Sequence, residues 1–151
     1  MNYDWVRESN LIENIDDPLE DERGRKVFNK LIRKNISVTT IKWLHKSLMV
    51  KLNREIGGKF RRCNVQVGGY VAPHWIKVPD LMAEWVLHWS SAATPEDIKR
   101  AHVAFESIHP FEDGNGRTGR MIMNWQWNKH WLIPLCIKAS ERQVYYEWFR
   151  N

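Results

Sequence analysis

At 151 residues and 18.0 kDa the chain is long enough to bury one core but not two. A hydrophobic share of 43% beside 27% charged residues is that of a soluble globular protein; no apolar run approaches the roughly 20 residues that cross a bilayer. Cys63 and Cys136 are too few for a disulfide framework or a zinc site, and the net charge of +5 comes from scattered basic residues without an RNA-binding aromatic pattern, which sets nucleic acid aside as the main ligand.

In chain order the pattern reads as mostly helical. Asp4 to about Glu13 predicts a short helix with Trp5, Leu11 and Ile12 on its apolar edge. After a break at Asp16-Asp17-Pro18, the spacing of Leu19, Val27, Phe28, Leu31 and Ile32 predicts a second helix over about 19–33. Ser37 is a good N-cap for a third through Ile41, Leu44, Leu48 and Leu52, ended by Gly57-Gly58. Between Arg62 and Ile76 the period changes to two, and Gly68-Gly69 between Val65/Val67 and Tyr70/Val71 predicts a β-hairpin. Pro79 then opens a helix carrying Leu81, Met82, Trp85, Val86 and Trp89; Thr94-Pro95 opens the next, whose exit lies at His109-Pro110. A helix from about Asn115 to His130 and a last one capped by Ser140 complete the chain. The expected class is all-α with one small hairpin. Nine tryptophans are expected to serve packing.

Charge is uneven along the chain. Residues 1–23 hold eight acids against Arg7 and Arg23, whereas the remainder holds 21 Lys and Arg against 10 Asp and Glu. A basic body suits anionic ligands, and the acidic leader is either a solvated segment or one that docks on the basic site.

Residues 109–120, HPFEDGNGRTGR, carry the chemistry. His109 has an unperturbed pKa near working pH and suits a general base. Asp113 is a hard oxygen ligand for Mg²⁺, which binds through one or two carboxylates and completes its shell with phosphates and water. Gly114 and Gly116 flank Asn115, so backbone N–H groups can turn toward an anion at the start of the following helix. Arg117 and Arg120, three apart, can flank the same anion with planar charged donors. The other five histidines are expected to be structural or surface residues.

This stretch matches, at every specified position, the signature of the Fic family, HPFxDGNGRxxR, in which the fifth position is aspartate or glutamate. GGKFRRCNVQVGGYVAPHWIKVPDLM upstream is similar to the family's flap hairpin and next helix; MIMNWQWNKHWLIPLCI downstream is similar to the helix and loop that close its core. The resemblance implies a helical Fic bundle that transfers AMP from ATP to a Ser, Thr or Tyr hydroxyl of a protein target, with Mg²⁺ as cofactor. It implies that His109 deprotonates the hydroxyl, Asp113 holds the metal, Phe111 anchors the loop, and Gly114, Asn115, Gly116, Arg117 and Arg120 bind the phosphates. Val65, Gln66, Val67, Gly68 and Gly69 would form the flap that positions the target, as an exposed strand edge can pair with an extended segment. Self-modification and a homo-oligomer stay open.

A further resemblance lies in the acidic leader. Many Fic proteins are restrained by a helix with a serine or threonine, three free positions, a glutamate, and glycine or asparagine; the glutamate pairs with the second motif arginine. Of the eleven Ser and Thr positions only Ser9 meets this pattern, with Glu13 and Asn14, and the i, i+4 spacing puts Ser9 and Glu13 on one helix face. Residues 1–16 are therefore expected to be an inhibitory segment and 17–151 the catalytic domain. The related Doc kinases carry lysine where this chain has Gly116, which disfavours phosphorylation. Transfer of UMP or GMP and removal of AMP are the alternatives within the family, and a non-catalytic nucleotide-binding module is the alternative outside it. MNYDWVRESN has no signal-peptide hydrophobic region, so a cytoplasmic protein is expected.

Overall fold

The computed structural model describes residues 4–150; residues 1–3 and 151, the outer ends of the two expected segments, lie outside them. Among the described residues there are seven α-helices and one two-stranded hairpin: α1 (Asp4–Ile12), α2 (Pro18–Leu31), α3 (Val38–Met49), β1 (Gln66–Val67), β2 (Tyr70–Val71), α4 (Val78–Trp89), α5 (Pro95–Ile108), α6 (Asn115–Asn128) and α7 (Arg142–Tyr146).

Local chemistry explains most boundaries. Asp17 accepts from the Leu19 amide and Pro18 occupies the first turn, so the expected break is the cap of α2. Ser37 accepts from the Thr40 amide and Thr94 from the Asp97 amide, starting α3 and α5 where expected. In the hairpin, Gln66 pairs with Val71 and Val67 with Tyr70. Both turn glycines have positive φ, 52° and 85°, as a two-residue hairpin turn demands.

Two boundaries differ from expectation. Helix α3 stops at Met49 rather than at Gly57-Gly58: Leu52, which continued the apolar spacing, is exposed, and its amide closes only a turn to the Met49 carbonyl. Ser140 caps no helix. It lies inside a 3-10 turn, Ala139–Glu141, ahead of the five-residue α7, which has no side-chain cap and buries only Tyr145.

Helix α6 runs through the middle of the molecule and is buried continuously from Arg117 to Gln126. A helix enclosed on all sides shows no clean amphipathic stripe. Two of its buried amides find backbone partners: Asn124 exchanges two hydrogen bonds with the Leu135 backbone, and Gln126 donates to the Trp89 carbonyl. Around it, Phe28, Leu44, Met82, Phe105 and Phe111 form one core with Trp5 and Val6 of α1. Each such large side chain contributes about 1.5–3 kcal/mol on burial, so α1 is a structural member of the fold. Trp5, Trp85 and Trp125 of the nine tryptophans are fully enclosed. No helix among the described residues is long and apolar enough to cross a membrane.

Candidate active site

The site forms where α5 ends and α6 begins. His109 is the C-cap residue of α5 in the left-handed conformation (φ 51°), its amide still donating to the Phe105 carbonyl at 3.1 Å. A non-glycine residue in that region is uncommon and must be held there by its surroundings. Arg61 does the holding. Its buried guanidinium donates to the carbonyls of His109 (2.7 Å), Cys63 (2.8 Å), Pro73 (2.6 Å) and Ile108 (3.2 Å), and its amide donates to the Pro110 carbonyl. Cys63 and Pro73 bracket the hairpin, so one side chain ties the base of the flap to the histidine corner.

Behind the loop, Phe111 is fully buried and stacks on His45 with centroids 3.7 Å apart. The His45 Nδ1 accepts from the Gly58 amide, which puts the ring proton on Nε2, and that proton is donated to the Asp113 carbonyl at 2.8 Å. Burial pushes His45 below the usual histidine range and keeps this neutral form. His45 is structural, as expected of it, yet it sets the path of the motif loop.

Asn115 closes the loop from inside: its Oδ1 accepts from the Phe111 amide and its Nδ2 donates to the Phe111 carbonyl, both at 2.9 Å. With Oδ1 and one of the two Nδ2 protons so used, Asn115 can still offer an anion its backbone N–H. Gly114 (φ 79°) is the N-cap of α6, and a β-carbon there would meet Met49 Sδ at 2.8 Å. At Gly116 a β-carbon would strike the Glu13 carboxylate and come within 3.0 Å of Arg120 Nη1. The missing side chain therefore leaves room for a carboxylate-sized anion against the first turn of α6, where unpaired N–H groups and the helix dipole favour negative charge.

Both arginines are buried and reach N-terminal residues. Arg117 donates from Nε to Asn10 Oδ1 at 2.8 Å and lies 3.5 Å from Glu20; Asn10 in turn donates to Asp21 at 2.7 Å. The Arg117 Nη1 is buried without a partner, a donor available to a ligand. Arg120 donates from Nε to Ser9 Oγ (2.8 Å), from Nη2 to the Ser9 carbonyl (3.0 Å) and Glu13 Oε1 (2.7 Å), and from Nη1 to the Tyr145 hydroxyl (3.2 Å). Asn14 follows α1 in the left-handed region (φ 59°), its side chain 3.4 Å from Arg142. The acidic leader is docked.

Asp113 is exposed and uses Oδ1 to accept from the Gly114 amide at 2.7 Å, leaving Oδ2 outside that bond. Among the described residues no group of three or more His, Cys, Asp or Glu side chains could enclose a metal. A single carboxylate beside an anion cradle nevertheless suits Mg²⁺, which takes most of its shell from phosphates and water. Burial is the main cause that lowers the His109 pKa; the Glu106 carbonyl opposes it, near Nδ1 but not in hydrogen-bonding geometry, and Arg61 adds to it. The ring is thus neutral near pH 7 and able to accept a proton. The flap strands are exposed, and Val65, just before β1, accepts from the Ala72 amide at 3.1 Å.

Sequence reasoning did not find Arg61, Asn10 or Tyr145 as partners of the site. No local pattern marks them; only Asn10 stood beside a residue already singled out.

Comparison with known proteins shows what the chain is similar to. Curated relatives called protein adenylyltransferase Fic are 35% identical over 121 residues (Drosophila virilis; 76% of this chain, 25% of the relative) and 34% identical over 128 residues (Aedes aegypti; 80% and 26%). The chain spans about a quarter of the length of these relatives. A Fic-domain-containing signalling protein from Bacteroides thetaiotaomicron superposes with a TM-score of 0.77 at 19% identity, covering 96% of this chain and 69% of that one. Fic-1 from C. elegans, residues 134–508, superposes at 0.74 and 19% identity, with 96% and 53% covered. A model of the Fic/DOC family matches residues 35–127, from the approach to α3 through the anion cradle to the end of α6, and the chain therefore belongs to that family.

Proposed function

We propose that the protein transfers AMP from ATP to a hydroxyl group of a protein target, and that residues 1–16 restrain the catalytic body formed by 17–151. The supporting observation is convergence: a neutral, half-buried His109 stands at the lip of an anion cradle built from the α6 N-terminus, Arg117 and Arg120. The activity in the name of the curated relatives, adenylyl transfer to protein, is one that such a site suits.

In the proposed reaction His109 Nε2 takes the hydroxyl proton as the target oxygen bonds to the α-phosphorus of ATP. The bond from that phosphorus to the bridging oxygen breaks and pyrophosphate leaves. Backbone N–H groups at the start of α6 and the two arginines stabilise the phosphate charge. Asp113 would hold Mg²⁺, which when bound supplies further neutralisation of that charge. The exposed flap, Val65 to Gly69, would pair with an extended stretch of target and bring its hydroxyl to His109. Gly116 supports this reading over phosphorylation, because the room it leaves is filled by lysine in Doc-like kinases.

Restraint is supported by Glu13. Its carboxylate sits in the space beside Gly116 and on Arg120, where a nucleotide phosphate would otherwise bind. The test is intact-mass spectrometry of wild type, Glu13→Gly and Glu13→Gly/His109→Ala incubated with Mg²⁺ and each nucleoside triphosphate. Glu13→Gly should gain AMP from ATP and the double variant should gain none while still binding ATP; transfer should fall by roughly 10²–10⁴-fold. A double variant that modifies itself like Glu13→Gly refutes the base assignment, and a gain of UMP or GMP instead of AMP refutes the choice of nucleotide.

A further inference from the structure

The Arg120 guanidinium makes four hydrogen bonds among the described residues, and three of the acceptors belong to α1 or its end: Ser9 Oγ, the Ser9 carbonyl and Glu13. The fourth is the Tyr145 hydroxyl, from α7, beyond the matched family region. If Glu13 lets go of the arginine, Ser9 still holds Nε and Nη2, and Tyr145 alone remains to fix Nη1.

The tyrosine is itself seated. Its hydroxyl lies 2.8 Å from His102 Nε2, and its ring lies 5.5 Å from the Arg120 guanidinium carbon. Arginine has no acceptor, so Nη1 must donate to the phenol oxygen, and the phenol proton is then free for His102 Nε2. Such a donation calls for the histidine tautomer with its proton on Nδ1. Burial drives His102 down to about 3, so it stays neutral, and raises the Tyr145 pKa, so the phenol keeps its proton. Gly119 makes the seat possible: a β-carbon there would come within 2.9 Å of His102 Cε1. Tyr145 and His102 are 3% and 2% exposed, so water offers the fork no ready substitute for the hydroxyl.

We propose that Tyr145, seated on His102, is a positioning residue that keeps the Nη1 arm of the Arg120 fork aimed at the nucleotide phosphates once the Glu13 contact is lost. The proposal rests on the functional reading above. It assigns to α7 a role in phosphate recognition: a phenylalanine would fill the same space but leave Nη1 without its acceptor.

The experiment titrates ATP and AMP, each with Mg²⁺, into Glu13→Gly and Glu13→Gly/Tyr145→Phe by calorimetry. Loss of a hydrogen bond to a charged group should weaken ATP about tenfold, while AMP, without the outer phosphates, should bind both proteins alike. In the same background His102→Gln retains an acceptor for the phenol and should preserve more ATP affinity than His102→Leu, which also reads the contact if Tyr145→Phe does not fold. Unchanged ATP affinity in Tyr145→Phe, or equal loss of ATP and AMP, overturns the positioning role and leaves the functional reading standing. Failure of Glu13→Gly itself to bind ATP overturns both.

Discussion

Glu13→Gly separates stability from turnover. Glu13 Oε1 lies 2.7 Å from Arg120 Nη2, with side-chain exposures of 37% and 3%. Breaking a fully buried ion pair costs roughly 3–5 kcal/mol. Solvent already reaches the carboxylate, and Arg120 keeps its bonds to Ser9 and Tyr145, so the loss here should be nearer about 1–2 kcal/mol. In a chain of this length that lowers Tm by about 3–6 °C. On the proposed reading the same contact excludes phosphate, and its removal should raise auto-adenylylation by roughly 5–30-fold. Thermal melts and a time course with ATP labelled in the α-phosphate measure the two quantities. Glu13→Gln, which keeps a hydrogen-bond acceptor without the charge, should fall between. A Glu13→Gly protein that melts lower but is no faster, with ATP bound as in wild type, refutes the restraint and leaves Glu13 a structural partner only.

Three other outcomes follow from the geometry. Asp113→Ala should suppress transfer even at saturating ATP, since a metal that holds phosphates acts on geometry as well as affinity; undiminished transfer in a chelator refutes it. Arg61→Lys cannot reproduce the planar fork over the carbonyls of Cys63, Pro73, Ile108 and His109, so it should cost about 2–4 kcal/mol of stability and lower kcat, and a wild-type melt would refute the staple. Glu106, its Oε1 buried without a partner, is pushed up to about 8 by burial from 4.5; because its folded pKa is the higher one, its contribution is complete below 4.5 and lost as pH rises through about 8. Wild type should therefore lose Tm between pH 5 and 8 by more than Glu106→Gln does, and parallel curves would refute the assignment.

How much could be read in advance depended on separation along the chain. The motif was legible because His109, Asp113, Gly114, Gly116, Arg117 and Arg120 share one turn and one helix start, where spacing fixes geometry. The caps at Ser37 and Thr94 were equally local. Helix α6 starts at Asn115 as expected and ends two residues before His130, whereas α7 is too short to show a period. Arg61 lies 48 residues from His109, Asn10 lies 107 from Arg117, and Tyr145 is a lone aromatic on a five-residue helix. Such contacts are set by packing rather than by local preference. Ser9 and Glu13 were the exception: an i, i+4 pair signalled a helix face, though not that Asn10 would cover Arg117 from the same helix.

The placement of α1 limits how a restraint of this kind could be relieved. Trp5 and Val6 are 3% and 0% exposed within the main core, and Asn10 and Ile12 are also buried. Displacing the whole helix would expose those side chains at about 1.5–3 kcal/mol each, a large share of the stability of a domain this size. Glu13 stands just past the last helical residue, followed by Asn14 at φ 59°, and its side chain already reaches solvent. The low-cost movement is therefore a change confined to 13 and 14 that swings the carboxylate away from Arg120 and leaves Trp5 and Val6 in place. On the proposed reading the protein would then keep its core and vary its access to phosphate, because Trp5 and Val6 lie near the start of this nine-residue helix and Glu13 just past its end.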